Sequence, residues 1–359
     1  MFVERQIELL FDPLSREAQT HVNLSAVRRE GRCLWVAGDE TATIERLTET
    51  HDADGALTGY AGQVTYRLAD FVDLPAGPDE EADIEGLASA DGWLWAIGSH
   101  SLKRKRVKAE HSGRKSRRRL ATVVREENRY ILVRLPLEEG PDGLPVPVRT
   151  AADGRTAAVL GGRGDSVADL LRDDPHLAPF LSVPSKDNGV DIEGLAVHGD
   201  RLYVGFRGPV LRGWAAMVEI WPETDPDDPH RLRLRALNGT RYHSHFLDLR
   251  GLGIRDLCPD GDDLLVLAGP SMALSGPVRL FRWVDAVKCD APEFVHDLVH
   301  VGELPHGDGE DHAEGIVVVD GRLLVVYDSP AESRHTPGGG MLADLLRFPG
   351  RDDLTFQNG

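Results

Sequence analysis

Short apolar runs separated by turns rich in Asp and Gly recur along the chain. The opening of this pattern occurs five times, as NLSAVRREGRCLWVAGDE from Asn23, DIEGLASADGWLWAIGSH from Asp83, DIEGLAVHGDRLYVGFRG from Asp191, GIRDLCPDGDDLLVLAGP from Gly253 and HAEGIVVVDGRLLVVYDS from His312. In every copy an apolar residue that closes the opening motif lies seven positions before a second apolar residue. Each copy therefore predicts a short strand, a tight polar turn and a second strand.

Further strand patterns follow these hairpins, such as TIERLTET after the first and RLRLRAL after the third. Four strands per unit, repeated around a ring, is the organisation of a β-propeller. Only MLADLLRFP follows the last hairpin, and VERQIELLF near the N terminus has the pattern of the missing outer strand. We therefore expect an all-β fold over residues 1–359: a single propeller of four-stranded blades whose ring closes by pairing of the N- and C-terminal strands.

The number of blades follows from the spacing of the copies. The third residue of the motif lies at Ser25, Glu85, Glu193, Arg255 and Glu314, which gives intervals of 60, 108, 62 and 59. The long second interval contains a basic stretch, assigned as a loop insertion over residues 101–128, and a helix pattern in a second insertion over residues 161–189. This favours five blades with two insertions, and a degenerate sixth blade in that interval is the alternative.

A propeller blade brings the start of its first strand and the end of its second strand to the same face, because the second strand returns antiparallel to the first. The polar residues that this geometry predicts to be neighbours are Asp39, Glu40, Asp83, Glu85, Ser99, His100, Asp191, Glu193, Arg207, Arg255, Glu314 and Asp328. Both insertions connect to the same face, which makes it the predicted functional face.

Composition narrows the class of protein. The formal net charge of -18 disfavours a general nucleic-acid-binding surface, because such surfaces neutralise phosphates with cations. Three widely spaced cysteines suggest neither a disulfide framework nor a zinc site. No apolar run approaches the roughly 20 residues of a membrane helix or resembles a signal peptide, so we expect a cytoplasmic protein with no membrane partner.

The motif glutamates Glu85, Glu193 and Glu314 raise an electrostatic question. Like charges that converge on one channel raise one another's pKa, so they need compensation. Three forms of compensation remain open: ion pairs with Arg207 and Arg255, protonation, or a bound divalent cation. Oxygen ligands without cysteine or paired histidine favour Ca²⁺ or Mg²⁺.

The stretch from Lys103 to Arg119 contains ten basic residues and one acidic residue. One interpretation is a solvated loop, as runs of like charge usually are. A second is a clamp for a phosphate or polyanion over the carboxylates, in which Arg104 and Arg106 bind substrate together with Ser99 and Arg207. A third is that the stretch folds back onto the acidic channel. No aromatic residue lies between positions 102 and 120, so base stacking on nucleic acid is not expected.

The motif DIEGLA followed by GSHS, together with RGLGIRDL in the fourth copy, resembles an uncharacterised bacterial family known as domain of unknown function 3616. The resemblance covers most of the chain. The D-x-E-G signature is also similar, more distantly, to phytase-like and esterase-like propellers, and loosely to gluconolactonase-type propellers that place a Glu on a divalent cation. These relatives imply a metal-dependent hydrolase, with the metal ligands drawn from Asp83, Glu85, Asp191, Glu193 and Glu314. The sequence departs from the pattern at Ser25 and Arg255, and has His312 in place of Asp.

Two functional hypotheses follow. The first is a Ca²⁺- or Mg²⁺-dependent phosphoesterase or related hydrolase that acts on an anionic small molecule at the channel mouth, with Glu85, His100 and Arg255 as catalytic residues. The second is a non-catalytic propeller whose loop-rich face binds a ligand or a protein partner.

Overall fold

The structure is a computed structural model of the 359-residue chain and describes residues 1–272, 274–307 and 310–354. Its first sheet follows an N-terminal strand and a short helix. These elements are β1 (Phe2–Leu10), α1 (Pro13–Glu17), β2 (Leu24–Glu30), β3 (Cys33–Gly38), β4 (Thr43–His51) and β5 (Leu57–Arg67). Strands β2 to β5 pair in sequence order, each antiparallel to the next.

The second sheet has the order β11-β10-β7-β6, with β12 also pairing with β10. The elements of this region are β6 (Ile84–Ala90), β7 (Trp93–Gly98), β8 (Lys103–Arg104), α2 (Gly113–Leu120), β9 (Val123–Val124), β10 (Ile131–Glu139), β11 (Pro145–Pro147), β12 (Ala158–Gly161) and α3 (Val167–Leu170). The stretch from Lys103 to Arg119, which we call the basic segment, thus lies between β7 and β10, the second and third strands of the sheet. The segment that contains α3 leads from this sheet to the next.

The third and fourth sheets repeat the same antiparallel pattern. Their region contains β13 (Asp191–His198), β14 (Arg201–Leu211), β15 (Trp214–Ile220), β16 (Pro222–Thr224), β17 (Leu232–Leu234), β18 (Tyr242–Asp248), β19 (Gly253–Asp260), β20 (Asp263–Gly269), β21 (Val278–Trp283), β22 (Phe294–Val295) and β23 (Val299–Leu304). The third sheet has the order β13-β14-β15-β18-β22, and the fourth has the order β19-β20-β21-β23.

The prediction that RLRLRAL forms the outer strand of the third sheet is wrong. Strand β17 pairs only with β16 in a separate two-stranded sheet, and β18 takes the outer position. β15 ends at Ile220, two residues before Pro222, and the turn in which Asp225 N–H donates to the carbonyl of Arg231 folds the segment back. Leu232 is buried there against the core between the second and third sheets, which explains why apolar and polar residues alternate in RLRLRAL.

The last hairpin is completed by the N-terminal strand. It consists of β24 (His312–Val319) and β25 (Arg322–Asp328), followed by β26 (Gly340–Arg347) and the C-terminal helix α4 (Arg351–Leu354). Strand β1 pairs antiparallel with β26 from the Phe2–Arg347 pair to the Leu10–Gly340 pair. It also makes a short parallel contact with β5, so the first and last sheets join.

In the part of the chain that the structure describes, seven short 3-10 turns complete the secondary structure, at Thr20–Val22, Leu68–Asp70, Glu127–Arg129, Ala178–Phe180, Ser185–Asp187, Ala286–Lys288 and Glu332–Arg334. Helices are few and short, and the predicted all-β fold is confirmed. Within the described residues, no helix is both long and apolar enough to cross a membrane.

The first strands of the five hairpins contact one another in a closed cycle, β2 to β6, β13, β19, β24 and back to β2. We call these five strands the central ring. The buried apolar residues form clusters that lie between successive sheets, including one between the last sheet and the first. Trp35 and Trp95, at the same repeat position, are both buried in these clusters.

Arg28 lies on the axis of the central ring. Its guanidinium donates to the backbone carbonyls of Val27, Leu195, Leu257 and Ile316, which occupy equivalent positions in four copies of the repeat. It also forms an ion pair with Asp256 at 2.7 Å, and both side chains are buried. The axis is therefore filled at this depth, and the polar face described below is a one-sided recess.

Candidate functional site

The third motif residue is a β-bulge in all five copies. In β6, Ile84 pairs with Gly98 and Gly86 pairs with Ile97, so that Glu85 has no partner across the hairpin. The register shifts at the same position in the other four hairpins, where the extra residues are Ser25, Glu193, Arg255 and Glu314. A bulge re-aims the side chain of its extra residue, and here it turns these side chains toward one end of the central ring. We call this end the motif face.

The glycine after the motif glutamate allows two neighbouring sheets to approach. A Cβ atom on Gly86 would lie 2.8 Å from Cβ of Leu195, and one on Gly315 would lie 2.9 Å from Cγ1 of Val27. Both are closer than real Cβ contacts, so only glycine fits. The E-G pair of the motif is thus a bulge followed by a close contact between sheets.

Three carboxylates converge on the motif face at the junction of the first and second sheets. Asp39 follows β3, Asp83 precedes β6 with a positive φ of 51°, and Glu85 is the bulged residue of β6. One oxygen from each lies within 4.8 Å of the others. We call Asp39, Asp83 and Glu85 the carboxylate trio.

Burial and mutual repulsion dominate the electrostatics of the carboxylate trio. Burial, reinforced by the charges of Asp83, Asp328 and Glu314, raises the pKa of Asp39 to about 8. Burial followed by the charge of Asp83 raises the pKa of Glu85 well above its ordinary value. Burial also raises the pKa of Asp83, although the guanidinium of Arg129 opposes this shift from 2.5 Å away. The trio therefore retains protons near neutral pH unless a cation compensates it.

Two of these carboxylates have unused hydrogen-bonding capacity. Oδ1 of Asp39 is buried and has no hydrogen-bond partner. Glu85 accepts no hydrogen bond from any residue in the described part of the chain. Buried polar atoms normally have partners, and oxygen-only groups of this kind suit Ca²⁺ or Mg²⁺. The residues present fit a hard divalent cation.

Glu193 is compensated differently, by two arginines. Its Oε1 lies 2.5 Å from Nη1 of Arg207, and its Oε2 lies 3.0 Å from Nη1 of Arg255. Burial alone would raise the pKa of Glu193, but the two guanidinium groups hold it below its ordinary value. Arg255 also contacts Oε1 of Glu314 at 2.5 Å. Of the three forms of compensation considered for the motif glutamates, Glu193 uses ion pairing.

Glu314 belongs to a second group, with His312 and Asp328. One ligand atom from each lies within 4.8 Å of the others, and Nδ1 of His312 lies 3.6 Å from Oδ2 of Asp328. Burial, with the charge of Asp328 reinforcing and that of Arg255 opposing it, raises the pKa of Glu314 to about 7. The hydrogen bond with Asp328 raises the pKa of His312. This group holds a proton near neutrality and includes an imidazole, so it differs chemically from the carboxylate trio.

The remaining predicted residues of the second and third hairpins lie around these groups. Asp191 lies 3.7 Å from Nη1 of Arg207, and burial raises its pKa to about 7, but it belongs to neither group. Oγ of Ser99 lies 2.9 Å from Oγ of Ser101, and the Ser99 hydroxyl also bonds Asp83.

His100 is buried behind the motif face. Its Nδ1 lies 2.8 Å from the carbonyl of Gly98, and its ring packs edge-on against Tyr130. Burial lowers its pKa to about 4, so the imidazole is neutral. The structure does not bring His100 to the carboxylates, and its acid/base role stays a prediction.

The basic segment begins beside the carboxylate trio. Lys103 lies 3.8 Å from Glu126, and Glu126 in turn pairs with Arg129, the partner of Asp83. Arg104 pairs with Asp187 at 2.7 Å, whereas Arg106 is exposed. Helix α2, capped by the Ser112 hydroxyl, carries further exposed cations that make no ion pair within the described residues: Arg114, Lys115, Arg117 and Arg118.

Sequence reasoning missed Arg129 as a member of the site. It lies in the 3-10 turn before β10, outside the repeated motif, so the alignment of copies carries no signal for it. Arg28 was also missed, although its position is visible in the alignment: the equivalent residues of the other copies are Ala88, Ala196, Cys258 and Val317. A charged residue in a column of small apolar ones is the signal that could have identified it.

Comparison with known proteins places the chain within one described family and near several solved structures. The family model described as protein of unknown function (DUF3616) matches residues 23–344. No curated protein matches the chain.

Solved structures with a similar course of the chain include three sugar-active enzymes. The GH43_1 enzyme from Xanthomonas citri complexed with xylose has a TM-score of 0.41 and 11% identity, over 97% of this chain and 92% of that one. An exo-1,5-alpha-L-arabinanase from a bovine ruminal metagenomic library has a TM-score of 0.37 and 10% identity, over 93% and 95%. The PQQ-bound aldose sugar dehydrogenase from Streptomyces coelicolor has a TM-score of 0.36 and 13% identity, over 95% and 98%. None of these three is a phytase, and similarity at this level carries no argument about activity.

Proposed function

The chain belongs to the DUF3616 family of proteins of unknown function, and from its own residues we propose that it is a divalent-cation-dependent hydrolase acting on an anionic small molecule at the motif face. The carboxylate trio carries this proposal. Its oxygens converge within 4.8 Å, Oδ1 of Asp39 is buried without a partner, and Glu85 accepts no hydrogen bond from the described residues.

Asp39, Asp83 and Glu85 would hold the cation, which we propose to be Ca²⁺ or Mg²⁺. A bound cation of this kind polarises an ester oxygen and lowers the pKa of a bound water. It would also relieve the repulsion that raises the pKa of the trio in the metal-free protein.

The other charged residues of the motif face divide into structural and reactive groups. Arg207 and Arg255 are occupied by Glu193 and Glu314, so their role is to hold those carboxylates in place. Glu314 has a pKa near 7 and can donate or accept a proton at neutral pH, which suits general acid or base catalysis.

The basic segment supplies the charge that attracts an anionic substrate. Lys105, Arg106 and the exposed cations of α2 make no ion pair within the described residues, in contrast to Arg207 and Arg255. Phosphate is bound well by such cations. A phosphoester between the segment and the trio would therefore be held by both.

For the fold, we propose a five-bladed propeller, with the two insertions as loops rather than a sixth blade. The closed cycle of the central ring and the clusters of buried residues between successive sheets support this number. Pairing of β1 with β26 supports closure of the ring by the two termini.

A second candidate function is a non-catalytic propeller that binds a ligand or a protein partner on the motif face. The observation in its favour is that the bulged position holds Ser25 and Arg255 as well as glutamate. The Ser25 hydroxyl bonds the carbonyls of Ala37 and Ile84, which is a purely structural role. The bulge is thus part of the fold whether or not the site is catalytic.

Turnover of a phosphoester panel distinguishes the two candidates. The metal-free protein is assayed with p-nitrophenyl phosphate and bis-p-nitrophenyl phosphate, with and without Ca²⁺ or Mg²⁺. We expect cation-dependent hydrolysis that falls at least 100-fold in Glu85→Gln. Glu40→Gln is the matched control, because Glu40 adds a charge beside Asp39 but is exposed and, among the described residues, hydrogen-bonds to Asn23 alone. Absence of cation-dependent turnover, or equal loss in both variants, would contradict the enzymatic proposal.

A further inference from the structure

A second recess lies at the opposite end of the third sheet from the motif face. Strand β13 begins at Asp191 on the motif face and ends at His198, so the following turn and the start of β14 lie at the far end. There the structure has a cavity of about 470 Å³, within the range of small-molecule sites. Its floor comes from β15 and β18 of the third sheet.

The floor of this cavity is a buried carboxylate surrounded by donors. Glu219 is 1% exposed, and its Oε1 lies 3.3 Å from Nη1 of Arg201. Its Oε2 lies 3.3 Å from Nε2 of His245 and 3.7 Å from Nδ1 of His243. His243 and His245 lie two residues apart on β18, in the sequence YHSHF. Both therefore face Glu219, because alternate residues of a strand share one side.

His243 is the histidine that lines the cavity, and its imidazole makes no hydrogen bond within the described residues. It is 7% exposed. Its ring meets the indole of Trp221, another lining residue, edge to face with centroids 4.9 Å apart. Nδ1 is sealed from solvent and faces Glu219, so a ligand would reach the other ring nitrogen, Nε2. Nε2 also makes no hydrogen bond within the described residues, and a ligand hydroxyl in the cavity would give it one.

The charges around the cavity are already paired with one another. Arg201 lies 3.6 Å from Asp290 in addition to its contact with Glu219, and Arg235 pairs with Asp200 at the rim. An anionic ligand would therefore meet no uncompensated positive charge, because the two guanidinium groups are shared among three carboxylates: Asp200, Glu219 and Asp290. A neutral ligand with several hydroxyl groups can use the remaining donor and acceptor capacity of these pairs.

We propose that this cavity binds a neutral polyhydroxylated small molecule of monosaccharide size. The indole and imidazole wall provides apolar contact, and the paired acids and arginines provide alternating acceptors and donors. The site is independent of the carboxylate trio, so it stands whether or not the motif face is catalytic.

Saturation-transfer difference NMR on the full chain tests this proposal. The probes are methyl α-D-glucopyranoside, methyl β-D-xylopyranoside and myo-inositol, with inorganic phosphate and tetramethylammonium in parallel isothermal titrations. We expect saturable binding of at least one neutral probe, with an affinity at least tenfold lower in His243→Ala and in Asn238→Trp. Asn238 is exposed at the rim with a left-handed φ of 52°, so the second variant narrows the cavity from the surface and strains only the turn.

Glu85→Gln, at the motif face, is the control and should bind the neutral probe as the unaltered protein does. Thermal unfolding checks that Asn238→Trp is folded. The proposal is overturned if no neutral probe binds saturably, if the folded Asn238→Trp variant binds as well as the unaltered protein, or if only phosphate or tetramethylammonium binds.

Discussion

At Asp39 a carboxylate that would be ionised in water has its pKa raised to about 8 by burial and by the neighbouring charges of Asp83, Asp328 and Glu314. Glu193, which is more deeply buried, has its pKa lowered because Arg207 and Arg255 contact it directly. The difference between the two comes from arginine partners: Arg207 from the same hairpin as Glu193 and Arg255 from the next sheet.

Stability of the metal-free protein should fall as the pH rises toward 8. A carboxyl whose pKa is higher in the folded state stabilises the fold below its unfolded pKa of about 4, and this contribution is lost as the pH rises through the folded value. We expect Asp39→Asn to raise the free energy of unfolding at pH 8 by at least about 1 kcal/mol and to leave it unchanged at pH 4. Urea unfolding in EDTA at both pH values measures this. An equal effect at both pH values would contradict the electrostatic explanation.

Among single residues, the repeat predicted which side chains meet but not how their charges are balanced. Aligning the copies brought Asp39, Asp83 and Glu85 to one face, as the structure does. It did not separate Glu193 from Glu85, since both occupy the same motif position. They differ in that Arg207 of its own hairpin and Arg255 of the next hairpin contact Glu193.

At the scale of elements, the bulge in each first strand explains why one hexapeptide recurs. The bulge changes the direction of the glutamate side chain. The glycine that follows the glutamate has no side chain, which lets the next sheet pack closely against it. A bulge adds one residue to one strand only, so an ungapped alignment of the copies does not show it.

Gly86→Ala should therefore destabilise the protein. The new Cβ would lie within 3.0 Å of Leu195 and Ile97 side chains, and overpacking of this kind costs about 1–3 kcal/mol. Gly113→Ala is the matched control, because nothing lies within 4 Å of a Cβ at that helical position and alanine favours a helix. Urea unfolding should show a lower free energy of unfolding for Gly86→Ala and a higher one for Gly113→Ala, each relative to the unaltered protein. Equal free energies of unfolding for the two variants would contradict the close-approach explanation.

The exposed cations of α2 should act on substrate binding and not on the fold. Replacing Arg114, Lys115, Arg117 and Arg118 together by Gln should leave the melting temperature unchanged, since their side chains pair with no acid among the described residues. On the proposed function, KM for an anionic phosphoester should rise several-fold with kcat little changed, and the difference should shrink at high salt. An unchanged KM at low salt would show that the basic segment is a solvent-exposed loop that does not attract the substrate.

At the scale of the whole molecule, Arg28 ties the sheets together at the axis. Its donors reach four carbonyls from different hairpins and one buried carboxylate, so the ring is held by polar contacts at its centre and by apolar clusters between sheets.

Arg28→Met should cost about 3–5 kcal/mol, because it leaves Asp256 buried without its counter-charge. The double variant Arg28→Met with Asp256→Asn should recover part of this loss. Urea unfolding of the single and double variants measures the coupling. Additive losses would contradict a direct pair at the axis.

The sequence predicted much at this scale, including the all-β fold and the strands that pair at the two termini. It assigned RLRLRAL wrongly because alternation of Leu and Arg marks a half-buried strand without indicating which sheet covers it. Arg28 stands out in the alignment as a charge among small apolar residues, but its partners, four carbonyls and Asp256, are brought together only by the arrangement of the sheets.

Isothermal titration of Ca²⁺ into the metal-free protein near pH 7.5 tests the central claim most directly. Glu85→Gln and the control Glu40→Gln are titrated alongside it. The carboxylate trio predicts one saturable site, release of protons on binding because the pKa values of Asp39 and Glu85 are raised, and at least tenfold weaker binding in Glu85→Gln but not in Glu40→Gln. No saturable binding of Ca²⁺, or of Mg²⁺ in the same titration, or equal affinity in Glu85→Gln, would contradict a cation site at the trio.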